Sequence, residues 1–219
     1  PRGKLPYTDY LFNLVVSGSL VAGGEPAGDR DEILRILRPG GGVAFLGSQK
    51  SDVLRRPPLE GIGEWSHMYA NPANTVCSTD THVRGKMALQ WFGRPGPRQM
   101  IDRHHRTVAP LWKDGRLFIP GDNRIFAADA YNGTPLWTVE IPNSRRVGAF
   151  RDCSYMAAGE GFLYVGVDDK CLAINAKTGY MEKTFRVPAS IDGKQRDWGY
   201  VANIKRLLIG SGVKPGASR

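Results

Sequence analysis

Hydrophobic positions follow two different rhythms along this chain. Residues 10–17, YLFNLVVS, form a nearly continuous apolar run of strand length, the pattern of a parallel strand covered on both faces. The following stretch, DRDEILRILRPGGG, places Ile33, Leu34 and Leu37 on one helical face. Asp29 or Asp31 stands where an N-cap belongs, and Pro39-Gly40-Gly41 ends the helix. VAFLG, residues 43–47, returns as a second strand. Residues 1–50 thus read as a strand-helix-strand unit of the α/β kind. Residues 51–64 are polar and rich in Pro and Gly, and read as a linker. From residue 65 onward the helical period is gone, and short apolar runs alternate with Gly, Asn and Asp turns, which predicts an all-β region.

That second region repeats. Gly115, Leu117, Phe118, Ala127, Asp129, Ala130 and Gly133 each have a counterpart 46 residues later in Gly161, Leu163, Tyr164, Ala173, Asn175, Ala176 and Gly179. Counting back by 46 from Trp137 reaches Trp91, whereas counting forward reaches Lys183. Another copy starts near RLLIGSG, residues 206–212. A period in the forties built of strand-length runs is the sequence sign of a β-propeller with four-stranded blades. Residues 65–219 have room for about three and a half such blades, an incomplete propeller. YNG and KTG supply the glycine a tight hairpin needs.

Two family resemblances follow from these residues. The repeat Ala-x-Asp/Asn-Ala-x-x-Gly-x-x-x-Trp resembles the blade signature of pyrroloquinoline-quinone-type propellers, the quinoprotein alcohol dehydrogenase-like superfamily. In that superfamily the terminal tryptophan docks between neighbouring blades, a role the resemblance extends to Trp91 and Trp137 but not to Lys183. The first 50 residues, with LPYTDYLFNLVVS and EILRILRPGGGVAFLG, resemble the later half of a class I S-adenosylmethionine-dependent methyltransferase domain. Two features depart from that family: its glycine-rich cofactor loop is absent, and Asn13 stands where the strand usually carries an acid. This piece alone could not hold S-adenosylmethionine, which would need the full-length domain.

Charge adds one question. The net charge is +9, from 30 Lys and Arg against 21 Asp and Glu, so a nucleic-acid partner has to be weighed. The basic residues are spread out and lack the aromatic interleaving of a base-stacking surface, which argues against it. No segment has the run of roughly 18 apolar residues that spans a membrane. Pro1-Arg2-Gly3-Lys4 is not followed by the apolar core of a signal peptide, and the start reads as internal to a longer protein. Cys77, Cys153 and Cys171 are an odd number with no Cys-x-x-Cys pair, which argues against a zinc ribbon and a complete disulfide framework.

Candidate chemistry gathers in three places. Asp102, His104 and His105, in DRHHR, are the densest ionisable cluster; an imidazole held by Asp102 could act as a base, and the alternative is a structural hydrogen-bonding role. Arg145, Arg146, Arg151 and Asp152 lie in the connection between two blades, where propeller ligands usually sit. Their guanidinium forks match carboxylates, and salt bridges between blades are the competing role. Trp198, one blade later, offers a flat ring on which a quinone could stack, or a core tryptophan. No metal centre is expected: Asp168 and Asp169 read as a turn rather than a calcium site.

The resemblance implies pyrroloquinoline quinone with calcium as cofactor and a quinone-dependent oxidoreductase acting on alcohols or sugars. Two other functions stand beside it: a non-catalytic propeller that binds a small molecule, a carbohydrate or a protein, and a methyltransferase for which the propeller is the substrate platform. The same resemblance implies a periplasmic or cell-surface location.

Overall fold

The computed structural model describes residues 4–24, 29–47, 49–94, 96, 98–100, 108–146, 154–189 and 192–217. The chain divides into two compact units. One comprises Pro1–Ile62, His82–Phe92 and Tyr131–Gly133; the other comprises Gly63–Thr81, Gly93–Ala130 and Thr134–Arg219.

The first unit is the strand-helix-strand piece with one addition. Strand β1 (Leu14–Val16) pairs in parallel with β2 (Val43–Phe45), and the short helix α1 (Gly18–Val21) and the longer α2 (Arg30–Ile36) lie between them in sequence. Of the two candidate caps, Asp29 is the one used, its Oδ1 accepting from the Glu32 N–H at 2.8 Å. At the other end the Arg56 guanidinium donates to the carbonyls of Leu34, Arg35 and Leu37, so a fixed cation meets the orphan carbonyls of the helix end. Ile33, Leu37, Ala44 and Leu54 form the small core. Leu54 belongs to β3 (Val53–Arg55), which lies in the stretch read as linker and instead adds an antiparallel edge to β2. Three alternating residues are too short a pattern to register against Pro- and Gly-rich flanks.

The second unit is mainly β and forms part of a β-propeller. Strands β4 (Leu111–Lys113), β5 (Arg116–Gly121), β6 (Arg124–Asp129) and β7 (Pro135–Glu140) make one antiparallel sheet in sequence order. Strands β8 (Met156–Ala158), β9 (Phe162–Val167), β10 (Lys170–Asn175) and β11 (Met181–Arg186) make a second sheet of the same order. Strands β12 (Asp197–Ile204) and β13 (Leu207–Val213) pair as a third. Among the described residues, the stretch from Val76 to Gly93 forms no strand, although the 46-residue offset places blade sequence there.

Alternation along the second sheet shows how blades stack. Met156, Ala158, Leu163, Val165, Leu172 and Ile174 point into one apolar cluster with Leu111, Phe118, Ile125 and Ala127 of the first sheet. Ala157, Cys171 and, half-buried, Tyr164 point the other way, into a cluster with Trp198 and Val201 of the third. A period-2 strand buried on both faces is what a blade between two neighbours requires. Each fully buried Leu- or Val-sized side chain contributes about 1.5–3 kcal/mol.

Candidate functional site

Where the chain leaves each complete blade, it is held by the turn between that blade's second and third strands. The Ile141 N–H donates to Asn123 O at 2.8 Å, and one repeat later the Val187 N–H donates to Asp169 O at 3.1 Å. Asn123 and Asp168 have φ of +53° and +48°, the left-handed turn conformation that Asn and Asp tolerate. The Asp168 turn accepts twice more, from the Trp198 N–H at 2.7 Å and from Asn143 Nδ2 at 3.1 Å. Asp169 is ion-paired with Arg186. Both aspartates therefore serve the turn, and no metal-binding group of His, Cys, Asp or Glu occurs among the described residues.

Arg145 and Arg146 are adjacent in sequence and separate in role. Arg145 stays at the surface, 3.7 Å from Asp122 Oδ1, with its side chain 37% exposed. Arg146 is turned inward and buried: it donates to the carbonyls of Trp198 and Gly199, each at 2.5 Å, and to Gly166 O at 3.4 Å. Its guanidinium also lies over the Tyr155 ring, 4.9 Å from the centroid. Gly166 belongs to the second sheet, and Trp198 and Gly199 to the third, so this cation ties two blades together. A Cβ on Gly166 would stand 3.0 Å from Val201 Cγ2 and 3.3 Å from Trp198 Cβ, so the bare glycine lets the third sheet pack close.

Trp198 is likewise a core residue. It is 8% exposed, packs with Ala157, Cys171 and Val201, and lies against Gly210 so closely that a Cβ there would overlap its ring. Burial pushes the Cys171 thiol up to about 12, which leaves it protonated and inert. Asp102, His104, His105, Arg151, Asp152 and Cys153 lie outside the described residues.

His67 was given no role by its sequence context, and here it holds three sheets. Trp65 pairs with Trp112 of β4, the Ala158 N–H of β8 donates to Ser66 O, and the Asn203 N–H of β12 donates to His67 Nε2 at 3.1 Å. Since Nε2 accepts, the proton is on Nδ1, which donates to Ser66 Oγ at 2.8 Å. Burial, and secondarily the charge of Lys113, lower the His67 pKa to about 4, so the ring is neutral at pH 7. Residues 65–67 thereby cover the free edges of the first strands of three successive sheets. A His in a loop carries no local pattern that announces such partners, which come from 136 residues away.

These positions bear on whether pyrroloquinoline quinone fits. Of the described residues expected to hold it, Arg146 has its donors committed to carbonyls and Trp198 is buried, whereas Arg145 keeps a partly exposed guanidinium. In the first unit, Asn13 Oδ1 accepts from Asn132 Nδ2 at 3.1 Å, at the position where a methyltransferase strand would carry its acid.

No family model matches the sequence, and no curated protein matches it. Solved structures do. A quinohemoprotein alcohol dehydrogenase from Pseudomonas putida is 23% identical over 47% of this chain and 16% of its own, with a TM-score of 0.36. BamB from Moraxella catarrhalis is 18% identical over 47% of this chain and 29% of its own, with a TM-score of 0.34. A quinohemoprotein alcohol dehydrogenase from Comamonas testosteroni is 21% identical over 48% and 17%, with a TM-score of 0.36. This chain spans less than a third of the length of each. The methyltransferase resemblance finds no counterpart among them.

Proposed function

We propose that the blades act as a ligand-binding propeller module, with a protein or carbohydrate partner, rather than as a quinone enzyme working through Arg146 and Trp198. The observation that carries this reading is the commitment of the Arg146 guanidinium to three backbone carbonyls across a blade junction. A guanidinium so used has few donors left for a ligand carboxylate. The test is to add pyrroloquinoline quinone and calcium to the protein and follow bound-quinone absorbance and dye reduction with alcohols or sugars. Neither signal is expected; quinone-dependent dye reduction would overturn the proposal.

The quinone-dependent oxidoreductase is the second reading, supported by the blade signature and by Arg145, whose guanidinium stays partly exposed at the connection end. Under it, Asp102, His104 and His105 supply the base, and Arg145, Arg151 and Asp152 hold the quinone. Replacing His104 and His105 together by Gln should then abolish dye reduction while leaving quinone binding intact. The methyltransferase reading rests on the first 50 residues alone. It predicts binding of S-adenosylmethionine by the full-length protein, and calorimetry showing none would remove it.

A further inference from the structure

One cavity belongs to neither reading. It lies on the first blade, measures about 410 Å³, and its lining includes Arg94, Arg98, Gln99, Phe126, Pro135 and Thr138. Small-molecule sites occupy roughly 300–1,000 Å³, so its size suits a compact organic ligand. Its floor is set by strand alternation. Ile125 and Ala127 of β6, with Trp137 and Val139 of β7, go into the cluster shared with the second blade. Phe126, paired with Thr138, and Ala128, paired with Pro135, therefore face the other way and present an apolar surface.

The basic wall is contributed by Arg94 and Arg98. Among the described residues, Arg94 and Arg98 both line the cavity, no carboxylate does, and neither arginine has an ion-pair partner. The neighbouring Arg124 is by contrast paired with Glu140 at 3.2 Å. The wall is also anchored. Met100 bridges to Gly121, and Gln99 O accepts from the Asp122 N–H at 2.8 Å, with Gln99 at φ +64°. Gly121 permits this approach, because a Cβ there would stand 2.7 Å from Gln99 O and 2.6 Å from the Phe126 ring. A left-handed glutamine is strained, and the bridge and hydrogen bond hold it in place while fixing where Arg98 starts.

We infer that this cavity binds a small ligand that carries carboxylates on a flat apolar body. The guanidinium forks match carboxylates bidentately, and the Phe126, Ala128 and Pro135 surface takes the apolar part. Gln99 and Thr138 supply neutral hydrogen-bonding groups that set orientation. A bare anion would leave the apolar floor wet, and a neutral aromatic would leave two cations unmatched. Neither Arg146 nor Trp198 lines the cavity, and the inference goes beyond the function proposed above.

The probe is a naphthalene dicarboxylate titrated into the full chain, followed by its fluorescence and by calorimetry. Saturable binding is expected, weakening as salt rises. Arg94→Gln and Arg98→Gln should each weaken it about tenfold, the loss of one charge-assisted hydrogen bond. Both side chains are exposed, so thermal unfolding of the variants should match the parent. The neutral dimethyl ester and inorganic phosphate are the two comparison ligands, and neither should bind comparably. Absence of saturable binding, or equal binding by the double variant, would overturn the site. Equal binding of phosphate would overturn the apolar half of the ligand. Gly121→Ala should reduce binding with both arginines still present, and unchanged affinity in that variant would overturn the role given to the anchored wall.

Discussion

The two complete blades are the same backbone carrying different side chains. Their second, third and fourth strands begin and end 46 residues apart without exception. Even the irregularity recurs: the register shifts between Ala127 and Ala128 in the first, and between Ala173 and Ile174 in the second. Both carry a glycine at positive φ before the last strand, Gly133 at +72° and Gly179 at +76°. A tryptophan from the preceding repeat lies on each. A Cβ on Gly179 would stand 2.9 Å from the Trp137 ring, and one on Gly133 would stand 2.4 Å from Trp91. Trp137 Nε1 also donates to Ala176 O at 3.1 Å. The blades part company within the last strand, where Lys183 of the second replaces Trp137 of the first and extends over the Phe162 ring of its own sheet. The last strand of the second blade is exposed throughout. The difference separates what the repeat must keep, a bare left-handed glycine under a ring, from what it can lose, the ring itself.

The junctions differ as well. The first is almost wholly apolar, whereas the second adds the buried Arg146. Arg146→Ala is the strongest way to break this contrast. It removes hydrogen bonds to three carbonyls and should destabilise the chain by about 3–5 kcal/mol in urea titrations, while Arg145→Ala should stay within about 0.5 kcal/mol. Equal effects of the two would show that the second junction does not depend on its cation.

Next comes the glycine under the ring. Gly179→Ala should cost about 2–4 kcal/mol, from a strained left-handed alanine and a forced Trp137. Gly161→Ala has a similar φ of +76° with nothing within 4 Å, and should cost only about 1–2 kcal/mol. Matching losses in denaturant midpoint would mean that the tryptophan contact contributes nothing.

His67 lets pH probe the segment that joins all three sheets. Its folded pKa of about 4 lies below the ordinary 6.5, so the unfolded chain takes up the proton first. The contribution is complete above pH 6.5 and is lost as pH falls from there through 4, by about 2 kcal/mol once solvent screening is allowed for. A His67→Gln variant should lose this slope in stability measured against pH. A slope that persists would assign it to other groups.

The smallest effect belongs to Lys183→Ala, expected within about 0.5 kcal/mol because the side chain stands on an exposed strand. Trp137→Ala at the equivalent position should cost about 3 kcal/mol.

The repeat could be read in the sequence because each blade is built from local patterns: alternation of period two, Asn-Gly and Thr-Gly turns, and a glycine wherever a ring must lie close. The short β3 and the strandless stretch from Val76 to Gly93 were less legible, since three-residue strands and irregular loops carry no period. Among the candidate site residues, residue type suggested arginine forks and a stacking ring. Nothing in NSRRVG distinguishes the arginine that faces water from the one that crosses a blade junction. RPGPR, residues 94–98, holds both arginines of the cavity, and nothing local in it announces which strand residues Arg94 and Arg98 share that cavity with.

By itself, then, the sequence determined the strand-helix-strand start, the 46-residue blade and the hairpin turns, because these depend on contacts a few residues apart and on backbone freedom at single glycines. Only the tertiary structure decided that Arg146 and Trp198 are interior, that His67 accepts from Asn203, and that Arg94 and Arg98 share a cavity floored by Phe126. Those roles depend on which distant carbonyl or ring comes within bonding distance, and that is set by how sheets stack, not by neighbours along the chain.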